Sequence, residues 1–233
     1  MYRHAAYFAP HQDQLLAELG GQWLGRCALT RRALGAPSFQ EIASAKLGQY
    51  TAAATRYGWH ATMKAPFTLK AGLPVDAIPE AFTNFAHSQE AITLAPLVLR
   101  NMGDYLALLP SEPSDALQAL AFACVRALHP LAAPLTAQQL AQRRQARLSP
   151  EQDAMLLEWG YPFVGAQFQW HMTLTGSMHA LPPADVQQLH EAAMQWFDPV
   201  LNRPITLDAI SWFVEPYAGG DFYEVQRFAL CAP

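Results

Sequence analysis

Cysteine and basic residues are scarce in this sequence. Its 233 residues include three cysteines, Cys27, Cys124 and Cys231, which lie far apart and form no Cys-x-x-Cys pair. This spacing argues against a disulfide framework and against a cysteine-bound zinc ion. Lysine and arginine number 15, while aspartate and glutamate number 19, which gives a formal net charge of −4. A broad basic surface for an extended nucleic acid is therefore not expected.

Long apolar segments and a recognisable leader are also missing. No stretch approaches the ~20 consecutive apolar residues that cross a bilayer, and the first residues lack the apolar run and cleavage site of a signal peptide. We therefore expect a cytoplasmic protein with no membrane partner. Hydrophobic residues nonetheless make up 52% of the chain and charged residues 15%, which is typical of a compact globular protein with a substantial core.

The chain does contain an order of strands and helices that occurs twice. Strands are predicted, with helices between them, at 3–10, 59–69, 92–100, 105–110, 166–176, 204–216 and 222–231. A capping box of Ser38 and Glu41 predicts that one helix begins at Ser38. In both halves a predicted histidine strand is followed, at similar distances, by an Ile-Thr-Leu tripeptide and then a Gly-Asp turn.

This repetition predicts one bilobal domain with an internal repeat, formed by residues 1–110 and 111–233. We expect an α+β fold in which two pseudo-symmetric lobes enclose a central cleft. Each lobe is expected to be an antiparallel sheet with helices on its outer face.

Two matching tetrapeptides carry the functional signal. They read Trp-His-Ala-Thr at 59–62 and Trp-His-Met-Thr at 170–173. Alternate side chains of a strand share a face, so we expect the tryptophans to face the core and the polar side chains to line the cleft. The polar positions are His60, Thr62 and Lys64 on the first strand and His171, Thr173 and Thr175 on the second. In a chain with eight histidines one such motif is unremarkable, but its recurrence at equivalent repeat positions is not.

Two histidines and two hydroxyls suit the cleavage of a phosphodiester. One imidazole can accept a proton from the attacking water while the other donates a proton to the leaving oxygen. The hydroxyls of Thr62 and Thr173 can donate hydrogen bonds to the non-bridging phosphate oxygens. Placement on opposite sides of one phosphorus suits in-line displacement.

The chain resembles the two-histidine (2H) phosphoesterase superfamily, whose LigT-like fold is bilobal and whose chemistry needs no metal. More narrowly it resembles the DUF1045 family, a branch associated with phosphonate metabolism. The resemblance extends over nearly the whole chain, at 7–10, 57–69, 105–110, 142–152, 157–164 and 168–176. It implies that His60 and His171 are catalytic and that Thr62 and Thr173 bind phosphate. One departure is Ala132, where the family leads us to expect an arginine.

Six further side chains are candidates for binding the substrate phosphate: Lys64, Thr175, Arg143, Arg144, Tyr161 and Tyr7. The lysine and threonine continue the polar faces of the two histidine strands. The arginine pair forms the most basic run of the chain, and a guanidinium matches phosphate geometry. The alternative is that the lysine and the arginines are solvated and that the tyrosines are packed aromatics.

The favoured interpretation is a metal-independent hydrolase of a small cyclic phosphodiester, such as a ribose cyclic phosphate, with no cofactor. An enzyme acting on 2′,3′-cyclic or 2′,5′-linked RNA ends is a second interpretation, although no basic track with stacking aromatics is evident. A non-catalytic phosphate-binding protein is a third. A metal site of His60, His171 and a carboxylate is a fourth, which no ligand spacing supports. We expect a small phosphorylated metabolite as the partner, and a monomer or weak dimer.

Overall fold

The computed structural model describes residues 3–40 and 42–232. The strands in these ranges are β1 (Arg3–Phe8), β2 (Ala61–Thr68), β3 (Ile92–Leu94), β4 (Leu97–Asn101), β5 (Leu106–Pro110), β6 (Met172–Thr173), β7 (Ile205–Leu207), β8 (Ala209–Glu215) and β9 (Tyr223–Ala229). The α-helices are α1 (Leu15–Leu24), α2 (Ser44–Thr55), α3 (Ala77–His87), α4 (Asp115–Leu128), α5 (Ala137–Arg144), α6 (Pro150–Trp159) and α7 (Pro183–Phe197). Among the described residues, no helix combines the length and the apolar character needed to cross a membrane.

The strands form an antiparallel sheet of seven, in the order β4-β5-β6-β2-β1-β8-β9, and a separate pair, β3-β7. The predicted α+β architecture of antiparallel strands and helices is confirmed. The strands of the two sequence halves interleave along the large sheet, because β6 from the second half lies between β5 and β2 from the first. Neighbouring strands of the large sheet therefore come from both halves of the sequence. The division into repeats 1–110 and 111–233 stays a prediction.

Two antiparallel contacts join equivalent positions of the predicted repeat. Ala61, which follows His60, pairs with Met172, which follows His171. The two Ile-Thr-Leu tripeptides pair with each other through their central residues, Thr93 and Thr206. An antiparallel pair of equivalent residues has local two-fold symmetry. Both pairings are therefore those expected if two copies of a duplicated segment were related by a two-fold axis.

The tryptophans of the two tetrapeptides lie in the main hydrophobic core, as predicted. Trp59 and Trp170 are both buried. The Trp59 ring stacks on Phe197 of α7 with centroids 5.5 Å apart, and Trp170 lies against Phe8 of β1 at 5.8 Å. The indole N–H of each tryptophan has no hydrogen-bond partner among the described residues. Apolar packing thus fixes the start of each histidine strand.

Two predicted boundaries were wrong. The helix expected from Ser38 begins at Ser44, with Ala43 as its N-cap, and the capping partner Glu41 lies outside the described residues. The strand expected over 166–176 is reduced to Met172–Thr173. The backbone N–H of Leu106 donates to the Thr175 hydroxyl at 3.0 Å. In a regular antiparallel ladder the Leu106 N–H would donate to a backbone carbonyl of β6. Because it donates to the Thr175 side chain instead, the pairing of β6 with β5 ends before Thr175.

A β-bulge in β2 reverses the expected direction of Lys64. Tyr7 pairs with Thr62, but the preceding residue Ala6 pairs with Lys64, so Met63 is the extra residue. Lys64 therefore shares the side of Ala6, which belongs to the core covered by α4. The prediction that Lys64 points the same way as His60 and Thr62 was wrong, because strict alternation assumes a regular strand.

The close approach of α1 to Trp59 can be tested at Gly20. An alanine Cβ at this position would lie 2.1 Å from the Trp59 ring, which is itself held against α7. We expect Gly20→Ala to lower the free energy of unfolding by about 1–3 kcal/mol through overpacking, measured by urea denaturation. Gly48→Ala is the matched control, because Gly48 is a helical glycine with nothing within 4 Å of the added Cβ. It should raise stability by up to about 1 kcal/mol, and equal effects of the two variants would contradict this packing.

Candidate active site

The two histidine motifs meet at the centre of the large sheet. The single Ala61–Met172 pair joins β2 to β6, and we call this contact the seam. In an antiparallel register it brings His60 opposite Thr173 and Thr62 opposite His171. We call the surface that carries these four side chains the histidine face. A cleft on it is lined by His60, His171 and Thr173 together with Tyr57 and Tyr105.

His60 is held by a backbone carbonyl and an aromatic ring. Its Nδ1 lies 2.9 Å from the carbonyl oxygen of Gly58, two residues earlier in the chain. The ring of Tyr7 stacks on the imidazole, with centroids 3.8 Å apart and planes 27° from parallel. The Thr62 hydroxyl lies 3.4 Å from Nε2. The imidazole is therefore oriented on one side and open to the cleft through Nε2.

His171 is held by the same device. Its Nδ1 lies 2.8 Å from the carbonyl oxygen of Gln169, again two residues earlier. The Tyr105 hydroxyl lies 3.4 Å from Nε2, and the Tyr105 ring lies 5.6 Å from the imidazole. Each histidine thus has a carbonyl behind it and a tyrosine beside it.

The carbonyl contacts determine the tautomer of both imidazoles. A carbonyl oxygen accepts only, so Nδ1 must carry a proton in each ring. In the neutral form Nε2 is then left with a free lone pair. Both histidines therefore direct an atom that can accept or return a proton toward the cleft.

Burial controls the charge of the pair. Desolvation lowers the pKa of His60 to about 4, and the nearby His171 contributes to this lowering. Desolvation also lowers the pKa of His171, opposed by the hydrogen bond to Gln169. Because positive charge on one ring disfavours positive charge on the other, the two imidazoles are suited to hold a single proton between them.

The surroundings of the pair are aromatic and include the cation Arg143. Tyr161 and Tyr105 line a second part of the cleft together with Thr62 and His171. The guanidinium of Arg143 lies 5.9 Å from the Tyr161 ring centroid and forms no ion pair among the described residues. Arg143 and Tyr161 are therefore available to an anion near the histidines.

Other sequence candidates have partners of their own. Both nitrogens of the Arg144 fork donate to Asp153, at 2.6 and 2.8 Å, on an exposed surface. Thr175 is 1% exposed and accepts from Leu106. Tyr7 is 1% exposed and supports His60 through its ring. These contacts favour structural roles for Arg144, Thr175 and Tyr7.

Sequence reasoning missed Tyr105 and the two orienting carbonyls. Tyr105 directly precedes β5, and only the pairing of β5 with β6 brings it beside His171. The Gly58 and Gln169 carbonyls carry no side-chain signal. Among the described residues, no group of three or more histidine, cysteine or acidic side chains is arranged to hold a metal ion.

Comparison with known proteins gives a family match. The sequence pattern of the family described as "Protein of unknown function (DUF1045)" matches residues 62–223. A ribose 1,5-bisphosphate phosphokinase PhnN from Janthinobacterium sp. (strain Marseille) is 39% identical over 230 residues, which cover 97% of this chain and 50% of that protein. A protein of the same name from Laribacter hongkongensis (strain HLHK9) is 35% identical over 222 residues, covering 94% and 50%. The chain spans about half the length of these relatives.

Among solved structures, E. coli LigT complexed with 3′-AMP is similar over 98% of both chains, with 14% sequence identity and a TM-score of 0.41. A similarity this distant supports no assignment.

The carbonyl contacts and the burial of the imidazoles can be tested by NMR titration. Long-range ¹H–¹⁵N spectra of the free protein should show the Nδ1–H tautomer for both His60 and His171. The pKa of His60 should be about 4, and that of His171 should lie below 6.5. His179, which is exposed, serves as an internal reference. An Nε2–H tautomer, or a His60 pKa at or above 6.5, would show that this environment is described wrongly.

Proposed function

The chain belongs to the DUF1045 family, as its motifs predicted, and we propose that it is a metal-independent phosphoesterase that opens a small cyclic phosphodiester. The observation that carries the proposal is the paired arrangement of the imidazoles. Each is oriented by a carbonyl at Nδ1 and directs Nε2 into one cleft. One general acid and one general base are what hydrolysis of a phosphodiester needs.

In the proposed reaction His60 is the base. Its lowered pKa keeps it neutral at neutral pH, so Nε2 accepts a proton from the attacking water. The water oxygen bonds to phosphorus, and the opposite P–O bond breaks. His171 gives its Nε2 proton to the departing oxygen, which becomes a free hydroxyl. The product is a phosphate monoester, and the proton on His60 returns to solvent or to His171 before the next turnover.

The hydroxyls of Thr62 and Thr173 supply the charge stabilisation. Thr62 lies beside His60 Nε2, and Thr173 lies opposite His60 across the seam. Both can donate to the non-bridging oxygens, where negative charge increases in the transition state. Their position on adjacent strands fixes them before substrate binds, so little reorganisation is needed.

A ribose 1,2-cyclic phosphate is the favoured substrate. The chain has a net charge of −4, which disfavours a long polyanion and suits a metabolite. Two relatives are named for a kinase of ribose 1,5-bisphosphate. Opening a ribose 1,2-cyclic phosphate at its 2-oxygen leaves a phosphate on the 1-oxygen, which is one of the two esters in that name.

The histidine pair can be tested by substitution. We expect His60→Ala and His171→Ala each to lower kcat/KM for ribose 1,2-cyclic phosphate by about 10²–10⁴-fold, because each removes one proton transfer. The wild-type rate should be unaffected by excess chelator. His179→Ala is the matched control, since this histidine is exposed and lines neither part of the cleft.

Nucleoside 2′,3′-cyclic phosphates are assayed in parallel. Faster turnover of these than of the ribose compound would favour the RNA-end interpretation. Binding of the cyclic phosphates without turnover would favour a non-catalytic binding protein. Loss of activity in chelator with recovery on adding zinc would contradict metal-independent hydrolysis.

The acid and base assignment predicts an acidic optimum. His60 must be neutral, so kcat/KM falls as pH drops through its pKa of about 4. His171 must be protonated, so kcat/KM falls as pH rises through its pKa, which burial holds below 6.5. A bell-shaped profile with its optimum below pH 6.5 is expected, because kcat/KM reports the free enzyme. An alkaline limb above pH 7 would contradict the role of His171 as the acid.

A further inference from the structure

A cavity of about 350 Å³ adjoins the histidine cleft along the outer edge of β2. We call it the lysine cavity and define it by Lys64, His129, Arg143 and Tyr161 in its wall. It exists because β2 pairs with β6 only at the seam. Beyond that pair the two strands separate, and the segments that contain α5 and α6 cover the gap.

Lys64 is a buried cation without an anion. The residue is 4% exposed. Its Nζ lies 5.4 Å from the centroid of the Phe67 ring, but no acidic group or hydrogen-bond acceptor among the described residues pairs with it. Burial lowers its pKa to about 8, so the group is mostly charged at neutral pH. A buried charge without an anionic partner is costly, and the β-bulge at Met63 is what turns this one into the cavity.

Two further groups in the wall point to the same ligand chemistry. Arg143 is half-buried without an ion pair among the described residues, and desolvation lowers its pKa. The buried Nδ1 of His129 has no hydrogen-bond partner in the described part of the chain. Arg3 also lines the cavity but is paired with Glu215. The single carboxylate in the wall, Glu158, is on an exposed helix position.

The lysine cavity shares part of its wall with the catalytic cleft. Tyr161, Ala65 and Val164 line both the lysine cavity and the part of the cleft that contains Thr62 and His171. Along β2, Lys64 lies two residues beyond Thr62, and the bulge at Met63 turns its side chain to the other face of the sheet. A ligand that reaches both groups would therefore pass along the wall residues that the two cavities share. One small molecule could therefore place one anionic group at the histidines and another at Lys64.

We propose that the lysine cavity binds a second phosphate group of the substrate, so that the enzyme acts on a cyclic phosphodiester that also carries a phosphate monoester. This inference rests on the proposed function, because it takes the histidine cleft as the place of reaction. Lys64 and Arg143 bind the monoester without taking part in bond cleavage. Since opening the cyclic ester creates a second monoester, the product is a sugar bisphosphate.

The proposal assigns a place in a reaction sequence. A reaction that consumes a sugar bisphosphate, such as transfer of a further phosphoryl group, is the class that must follow. The kinase name of the two long relatives belongs to that class.

The test compares ribose 1,2-cyclic phosphate with its 5-phosphorylated form. We expect wild-type kcat/KM to be at least tenfold higher for the 5-phosphorylated compound. Lys64→Met should reduce that preference about tenfold or more, and Arg143→Met should also reduce it. Lys70→Met is the matched control, because Lys70 is an exposed lysine near the end of the same strand, and it should keep the wild-type preference. Circular dichroism and melting temperature verify that each variant is folded.

A binding measurement tests the second-phosphate site independently of catalysis. Ribose 5-phosphate should bind the wild type in calorimetry, and Lys64→Met should weaken this binding at least tenfold. If neither cyclic compound is hydrolysed, the proposed function fails, whereas the binding result still decides the cavity. Hydrolysis of both compounds at equal rates would overturn the second-phosphate site alone.

Discussion

The antiparallel pairing of Ala61 with Met172 is the contact on which the site depends. Side chains on opposite strands of such a pair lie about 5 Å apart, and their neighbours alternate between the two faces. One pair in this register is enough to bring four polar side chains together and to send both tryptophans into the core. A shift of one residue would exchange the faces completely. The close packing of Trp59 against Gly20 and Phe197 resists such a shift.

The sequence was informative where chemistry and periodicity coincide. The two Trp-His-x-Thr motifs identified the strands, the core-facing tryptophans and the four polar positions, because these depend only on alternation and repetition. Lys64 was misplaced since the extra residue Met63 shifts the pairing of β2, so that Lys64 pairs with Ala6 and no longer faces the same way as Thr62. Tyr105 was missed because its proximity to His171 comes from strand pairing between distant segments. Arg143 and Arg144 could not be separated, since only tertiary contact reveals that Asp153 holds one of them.

Burial supplies the reactivity of the histidine pair. Two exposed imidazoles would titrate together near pH 6.5 and would both be neutral or both be charged over most of the range. Here desolvation lowers the pKa of both rings, more clearly at His60, where the charge of His171 acts as well. Burial thus favours the neutral form of both rings, in which Nε2 can accept a proton. The carbonyls of Gly58 and Gln169 prevent either ring from turning its free lone pair away from the cleft.

The bulge in β2 places the charge of Lys64 away from the two histidines. A fixed lysine beside the imidazoles would lower their pKa values further. Because Lys64 lies on the face of the sheet that α4 covers, its ammonium is not directed at a phosphorus bound on the histidine face. In the proposed second-phosphate site it binds a remote part of the substrate, and such binding energy can be used to orient the reacting group between the two histidines. A buried lysine without an anionic partner among the described residues lowers the stability of the free protein. That cost is accounted for if the missing counter-ion arrives with the substrate.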